Sequence, residues 1–414
     1  MNAQVQLYDT PLSILSIPRE KYWLFSSGVL QLLHYVADKL GDADNAQDDS
    51  TDSESEGEDE EEGYQSDATS NSVPSINSHS RASTPAYTTD LSACNSKDSI
   101  PEPDHTEIED PFLHVAFTPS ECTIICSAAL ISKFFTQPLN TSVQEPACSF
   151  DTKLFQEAYL ALQVVTDGLD NKRVLELTEP LSDSDISIFF LSTHFADIIL
   201  IPEASKAKVV QILSSKGYDL VTSSPIPAGI KHEPVTVESD DLATKTFALF
   251  AKHGIKPLVS PRAKLLLTGA RPGRQNAREV ILLSAQALAA HNPSVPNSFV
   301  EYFAITKTTG SSISLLLPKS SKVRHKLGFG GKNKFIGSDV DSIIPISVDL
   351  TKLPIDSKGI VAGLAGRLLN SEAVENAVFG GDIGVFEMNY LSMGLSGVVM
   401  IPEEWLKVVS SVLV

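Results

Sequence analysis

Along the chain, apolar residues change spacing in a recurring order. A short solid or alternating run gives way to residues three and four apart, then to two more short runs, then to three-and-four spacing again. Residues 11–17 (PLSILSI) predict a strand, and Leu24, Val29, Leu30, Leu32, Leu33 and Val36 mark one face of the helix that follows. Strands are expected at 112–118 and 122–126 around the polar turn Pro119-Ser120-Glu121, with a helix at 128–135. A second series begins at 159–165, with a helix at 173–181, strands at 186–191 and 198–201, a helix and a strand at 218–222. The third has a strand at 263–267, a helix at 276–290 and a hairpin of 299–305 with 311–317 around Thr309-Gly310. The fourth runs from a strand at 343–350 through a helix starting at Gly359 and an irregular 373–383 to the carboxyl-terminal residues. The order β-α-β-β-α-β predicts an α+β chain of four ferredoxin-like units in two tandem pairs, each an antiparallel sheet with two helices on one face. Their expected limits are 1–40 with 111–150, then 151–224, 257–340 and 341–414, with 225–256 as a linker.

One stretch occurs twice. Residues 191–213 (LSTHFADIILIPEASKAKVVQIL) return at 391–413 as LSMGLSGVVMIPEEWLKVVSSVL, with identities at 191/391, 192/392, 201/401, 202/402, 203/403, 209/409 and 213/413. Each copy reads as a buried strand, then Pro-Glu with Pro at the first helical position, then an amphipathic helix. A supersecondary unit duplicated at this long period points to related domains in tandem, because solenoid repeats are much shorter.

Charge changes the picture at one place. Between Gly41 and Asp110 there are 20 Asp and Glu against Arg81 and Lys97, so 18 of the 20 net negative charges of the chain sit there. The segment is otherwise rich in Ser, Thr, Asn and Pro, with too few apolar side chains to offset the entropy of ordering it, and is expected to be a disordered insertion in the first unit. Ser53, Ser55 and Ser83 suit phosphorylation, and a solvated linker without that role suits the composition equally. The remainder is nearly neutral, which excludes the electrostatic footprint of a nucleic-acid binder.

Candidate chemistry is sparse. There is no G-x-S-x-G, no H-E-x-x-H and no G-x-G-x-x-G after a strand, so no catalytic site is expected. The nine histidines show no metal-ligand spacing, and Cys122 and Cys126, four apart, fit neither a redox motif nor a zinc knuckle; no metal or cofactor is expected. The amino-terminal MNAQVQLYDT lacks a basic and then apolar leader, and no run reaches the roughly 18 apolar residues of a membrane span, so a cytosolic protein without membrane insertion is expected. The basic, glycine-rich 322–334 (KVRHKLGFGGKNK) lacks the phosphate-loop pattern and reads as a surface loop. More informative is 356–366: Asp356 or Ser357 can cap a helix, and Gly359, Gly363 and Gly366 leave its first turns bare, which suits either a small ligand at the exposed N–H groups or close helix packing.

The four units with Leu15-Ser16-Ile17 and Trp23-Leu24-Phe25, Thr118-Pro119, the run from Asp185 to Thr193 with Asp197, and Gly359-Ile360-Val361-Ala362 with Leu364-Ala365-Gly366 resemble the CASTOR family. These are tandem ACT-domain proteins, cytosolic arginine sensors upstream of the TOR kinase complex. The resemblance implies an amino acid held between the second and fourth units by Ser187, Ile188, Gly359, Ile360 and Val361. Two acidic residues that the family aims at the ligand fall at Ser357 and Gly397, with Asp356 beside the first, which implies a diverged ligand preference. The family's partner-facing turn falls on His194, Phe195 and Asp197, of which Asp197 matches. The expected function is non-catalytic: an amino acid, arginine or another, changes association with a TOR-pathway complex, and exposed sheet edges suit a homodimer. A ligand-independent scaffold and the regulatory subunit of a biosynthetic enzyme are the alternatives.

Overall fold

The computed structural model describes residues 3–45, 110–144, 150–166, 172–221, 239–289, 301–308, 310–337, 341–354, 357–379 and 386–413. The first array is β1 (Ala3–Pro18), α1 (Tyr22–Asn45), β2 (Leu113–Phe117) and β3 (Glu121–Ser127), followed by α2 (Ala128–Ser142). After the short β4 (Lys153–Leu154), the second is β5 (Tyr159–Thr166), α3 (Arg173–Asp183), β6 (Phe189–Ser192) and β7 (Asp197–Pro202), followed by α4 (Lys206–Ser215) and β8 (Asp219–Val221). Helix α5 (Ser239–His253) and β9 (Leu258–Val259) precede the third: β10 (Leu265–Ala270), α6 (Arg274–Ala289), β11 (Phe303–Lys307) and β12 (Ile313–Pro318), then α7 (Ser321–Lys326) and β13 (Phe335–Ile336). The fourth is β14 (Ile343–Asp349), α8 (Ile360–Leu369), α9 (Glu372–Phe379), β15 (Asn389–Ser392) and β16 (Ser396–Pro402), ending in α10 (Leu406–Leu413).

Within each array the third strand lies between the second and the first, and like meets like between arrays. The path β10-β12-β11-β2-β3-β1-β5-β7-β6-β15-β16-β14 returns to β10 through Leu265 and Ile343, a closed circuit of twelve strands. Two of its joints are long: β1 with β5 and β2 with β11. The other two are single residue pairs, Leu191 with Leu391 and Leu265 with Ile343.

Strand alternation sorts the apolar residues into two layers. Ile198 and Leu200 of β7 join Ile14, Leu265, Leu316, Leu391 and Met400 in a core made without any helix, drawn from all four arrays. Their neighbours Ile199 and Ile201 join a second core with residues of α3, α4, α8 and α10 and with the fully buried Trp405 of the 3-10 turn before α10. The circuit also uses the strand edges that the sequence offers to a second copy, so the edge argument for a homodimer falls away.

Several expectations need correction. The first strand starts at Ala3, and α1 continues through Gly41 to Asn45; the expected disorder at 46–109 lies outside the described residues. Residues 239–253 of the expected linker form α5, because Leu242, Phe247 and Phe250 give a polar segment an apolar stripe that joins the helix-bearing core. The expected irregular 373–383 contains α9. The last strand of the second unit exists as β8 but pairs in parallel with β1, residues 4–6. In both copies of the repeat, Pro202 and Pro402 close the strand and cap a three-residue 3-10 turn instead of occupying the first helical position. The equivalence of the copies survives at bond level: Thr193 and Met393 N–H donate to Ala196 and Ser396 carbonyls at 3.1 and 2.9 Å.

Candidate functional site

The two copies meet at their first two residues. Leu191 of β6 pairs with Leu391 of β15, the Phe190 N–H donates to Ser392 Oγ (2.8 Å), and the Tyr390 N–H donates to Ser192 Oγ (3.0 Å). The reciprocity defines a local two-fold between the second and fourth arrays, and a cleft lies on each side.

One cleft is open, a cavity of about 70 Å³. The segment entering β6 supplies Ser187 and Ile188, and the start of α8 supplies Ser357, Ile360 and Val361. The turn between β15 and β16, residues 393–396, forms a further wall, and Tyr390 also lines the space. Gly359 is the N-cap of α8 at φ 75°, left-handed backbone suited to glycine, and no side chain caps the helix, against the expected role of Ser357. Asp356, the other expected cap and ligand residue, lies outside the described residues. Gly363 serves packing: a Cβ there would lie 2.1 Å from the Thr246 hydroxyl of α5. Asp185, itself at φ 62°, joins Lys358 at 2.6 Å, linking the segment that enters β6 to the start of α8.

No charged side chain is among the described residues that line this cavity. Gly397 explains part of that. A Cβ at this position would lie 1.9 Å from Tyr390 Oη, so the tyrosine occupies the space an acidic side chain would need, and burial holds its phenol protonated. The 393–396 wall is fixed from behind by the first array. Glu121 accepts from the Leu395 N–H (3.2 Å), from Ser16 Oγ (2.6 Å) and from Ser396 Oγ, while the Gly394 N–H donates to Thr123 Oγ1 (2.9 Å). Burial raises the pKa of Glu121 above the ordinary carboxylate value, opposed by those donors.

The related cleft is filled. Arg173, at the start of α3, puts Nε on Asp197, the residue equivalent to Gly397, and reaches Asn389 Oδ1 (3.3 Å) and Glu387 (3.8 Å) just before β15. Asp197 is 2% exposed, and burial lifts it from 3.8 to about 6, opposed by Arg173 and Ser192.

The sequence therefore brings Ser187, Ile188, Ser357, Ile360 and Val361 to one cavity, with Gly359 behind them. The expected partner-facing residues turn inward. Asp197 is sealed in its ion pair, and His194 and Phe195 are half-buried against β10, where a Cβ on Gly269 would meet their rings at 2.6 and 2.5 Å. The His194 N–H also donates to Ser314 Oγ (3.1 Å). Arg173, Tyr390 and Glu121 went unforeseen. Tyr390 stands one residue before the repeat begins, at the position equivalent to Phe190, and that offset was its only signal; Glu121 reads in sequence as a polar turn residue.

Residues 154–215, from β4 to the end of α4, match the family profile described as ACT domain. ACT domains bind amino acids in regulation, and this span contains Ser187, Ile188, Arg173 and Asp197. The chain thus carries an ACT domain within a mixed helix and strand fold. It also aligns over 99% of its length with aspartate kinase from Synechocystis, at 10% identity and a TM-score of 0.29, and spans 55% of that chain. No curated protein matches the chain significantly. No helix among the described residues is long and apolar enough to cross a membrane.

Proposed function

We propose that the chain is a non-catalytic amino-acid sensor of four ACT units in two tandem pairs, a diverged relative of the CASTOR family. It would bind one amino acid between the second and fourth units. The observation that carries this is the convergence of Ser187 and Ile188 from the ACT-matched span with Ser357, Ile360 and Val361 on one cavity. Exposed N–H groups at the start of α8 suit the ligand carboxylate, aided by the helix dipole, and the serine hydroxyls suit the remaining polar groups. The ligand side chain is small and neutral. A guanidinium would enter without a counter-charge among the described lining residues, at a cost of several kcal/mol as an order of magnitude.

Ligand-linked association with a TOR-pathway complex in the cytosol is the proposed output, and it requires different ligand affinities in the free and associated states. Thermal denaturation of the full chain with each of the twenty amino acids tests the input. At about 100 times its dissociation constant a ligand adds roughly 2.7 kcal/mol. A shift is expected with a small neutral amino acid and none with arginine, and Ser187→Ala should reduce it. A shift confined to arginine would overturn the ligand class; no shift with any amino acid would favour the scaffold.

A further inference from the structure

The filled cleft is an internal template for the open one. In it Arg173, from the start of α3, reaches Asp197 of its own array and Asn389 and Glu387 of the other. Turned through the local two-fold, those places fall on the start of α8, on Gly397, on Phe189 and on Ser187. Helix α8 begins with Ile360 where α3 begins with Arg173, and the space that the guanidinium takes in one cleft is cavity in the other.

One polar group faces that space without a partner. Gly397 has no side chain, and Tyr390 Oη stands where the side chain of Asp197 stands across the two-fold, 1.9 Å from an added Cβ. The equivalent of Tyr390 is Phe190, so the hydroxyl belongs to the open cleft and has no counterpart in the filled one. Tyr390 is 1% exposed, and its oxygen makes no hydrogen bond among the described residues. Yet that oxygen is not sealed into the core as the indole nitrogen of Trp405 is; the surface it keeps is that of the cavity it lines. Burial holds the phenol protonated, so it has a hydrogen to donate. A buried donor left unpaired is costly, and a ligand oxygen removes the cost.

We propose that Tyr390 selects the ligand of this cleft, an amino acid whose short, uncharged side chain ends in a hydroxyl or amide oxygen that accepts from the phenol. The assignment rests on the amino-acid reading of the cavity and narrows it. The ligand oxygen takes the place of the Arg173 guanidinium, and Ser187, in the place of Glu387, is a second neutral group beside it. An apolar side chain of the same shape would cover the phenol and leave it unpaired, which is how sites built on a hydrogen bond reject isosteres. A carboxylate would accept the same bond but bring a charge among described lining residues that carry none.

The test is calorimetric titration of the full chain with amino acids that differ chiefly in the side-chain oxygen. The pairs are L-serine with L-alanine, L-threonine with L-valine and L-asparagine with L-leucine, and L-aspartate is set against L-asparagine. In the wild type the polar member of at least one pair should bind about tenfold more tightly than its apolar partner, and asparagine more tightly than aspartate. Tyr390→Phe places the residue of the equivalent position there and should melt near the wild-type temperature, and it should bring that pair within about twofold. The wild-type comparison stands whether or not the variant folds. Apolar members that bind as tightly as their polar partners in every pair, or a preference that survives Tyr390→Phe, would overturn the role of Tyr390 and leave the amino-acid site standing. Tighter binding of aspartate would overturn the neutral class. No binding of any of these amino acids up to about 10 mM, by heat or by thermal shift, would overturn the amino-acid site and this assignment with it.

Discussion

The two clefts that flank the meeting of β6 and β15 are built from equivalent parts and end in opposite states. In one, the helix start offers Ile360 and Val361, the strand offers Gly397, and a cavity remains. In the other, the helix start offers Arg173, the strand offers Asp197, and an internal ion pair fills the space. A duplicated scaffold can thus keep one cleft open and convert the other into a joint between arrays. The difference is needed because the strand contact itself is a single residue pair, Leu191 with Leu391.

The largest way to break the comparison is to empty the filled cleft. Arg173→Leu leaves Asp197 buried without its counter-charge and removes the reach to Asn389, and should lower unfolding free energy by about 3–5 kcal/mol in urea titrations. A loss below about 1 kcal/mol would mean that the pair is an ornament of the joint, as exposed ion pairs are. The same cleft sets a pH response. Because burial raises Asp197 to about 6 from 3.8, its contribution to stability is full below about 3.8 and is lost as pH rises through about 6. The difference between the wild-type and Asp197→Asn stability curves should therefore fall across that window, and a rise would contradict the environment described.

Next is the attempt to make the open cleft resemble the filled one. Gly397→Asp puts a Cβ where Tyr390 Oη stands and should cost about 1–3 kcal/mol through overpacking, with loss of the cavity. Adding Tyr390→Ala should recover folding and admit a cationic amino acid, read as a thermal shift with arginine that the wild type lacks. If the double variant folds and arginine still gives no shift, the neutral lining is not what sets ligand choice.

These partnerships mark the limit of the sequence. Strand and helix periodicity placed most strands of the circuit and the helices that follow them, but not β4, α5, β9, α7, β13 or α9, and the duplicated LS…IPE…V…L segment located both strands and both helices of the local two-fold. Periodicity does not say which strand pairs with which, so the closed circuit, the parallel β8 and the inward turn of His194 and Phe195 were not legible. Ser187, Ile188, Ser357, Ile360 and Val361 were found through resemblance to a family. Arg173 was missed because its partners Asp197 and Asn389 lie 24 and 216 positions away, and Tyr390 because periodicity does not show that its ring fills the space beside Gly397 across the hairpin. Gly363 shows the converse: a glycine that suits a ligand in sequence serves the contact with α5.

The finest test uses the serine pair itself. Ser392→Ala removes the acceptor for the buried Phe190 N–H, and Ser192→Ala removes the one for Tyr390, so each should cost about 1 kcal/mol in urea titrations. They are not expected to be equal. The Ser192 hydroxyl also stands by Asp197, where it opposes the burial that raises the carboxyl, whereas the equivalent partner of Ser392 would be Gly397, which has no side chain. Ser192→Ala should therefore be the costlier by a few tenths to about 1 kcal/mol above pH 6, where Asp197 is ionised, and the two should converge near pH 4, where it is neutral. Equal costs at both pH values would show that the hydroxyls act only on the backbone, and that the asymmetry of the clefts begins at Arg173 rather than at the strands that join them.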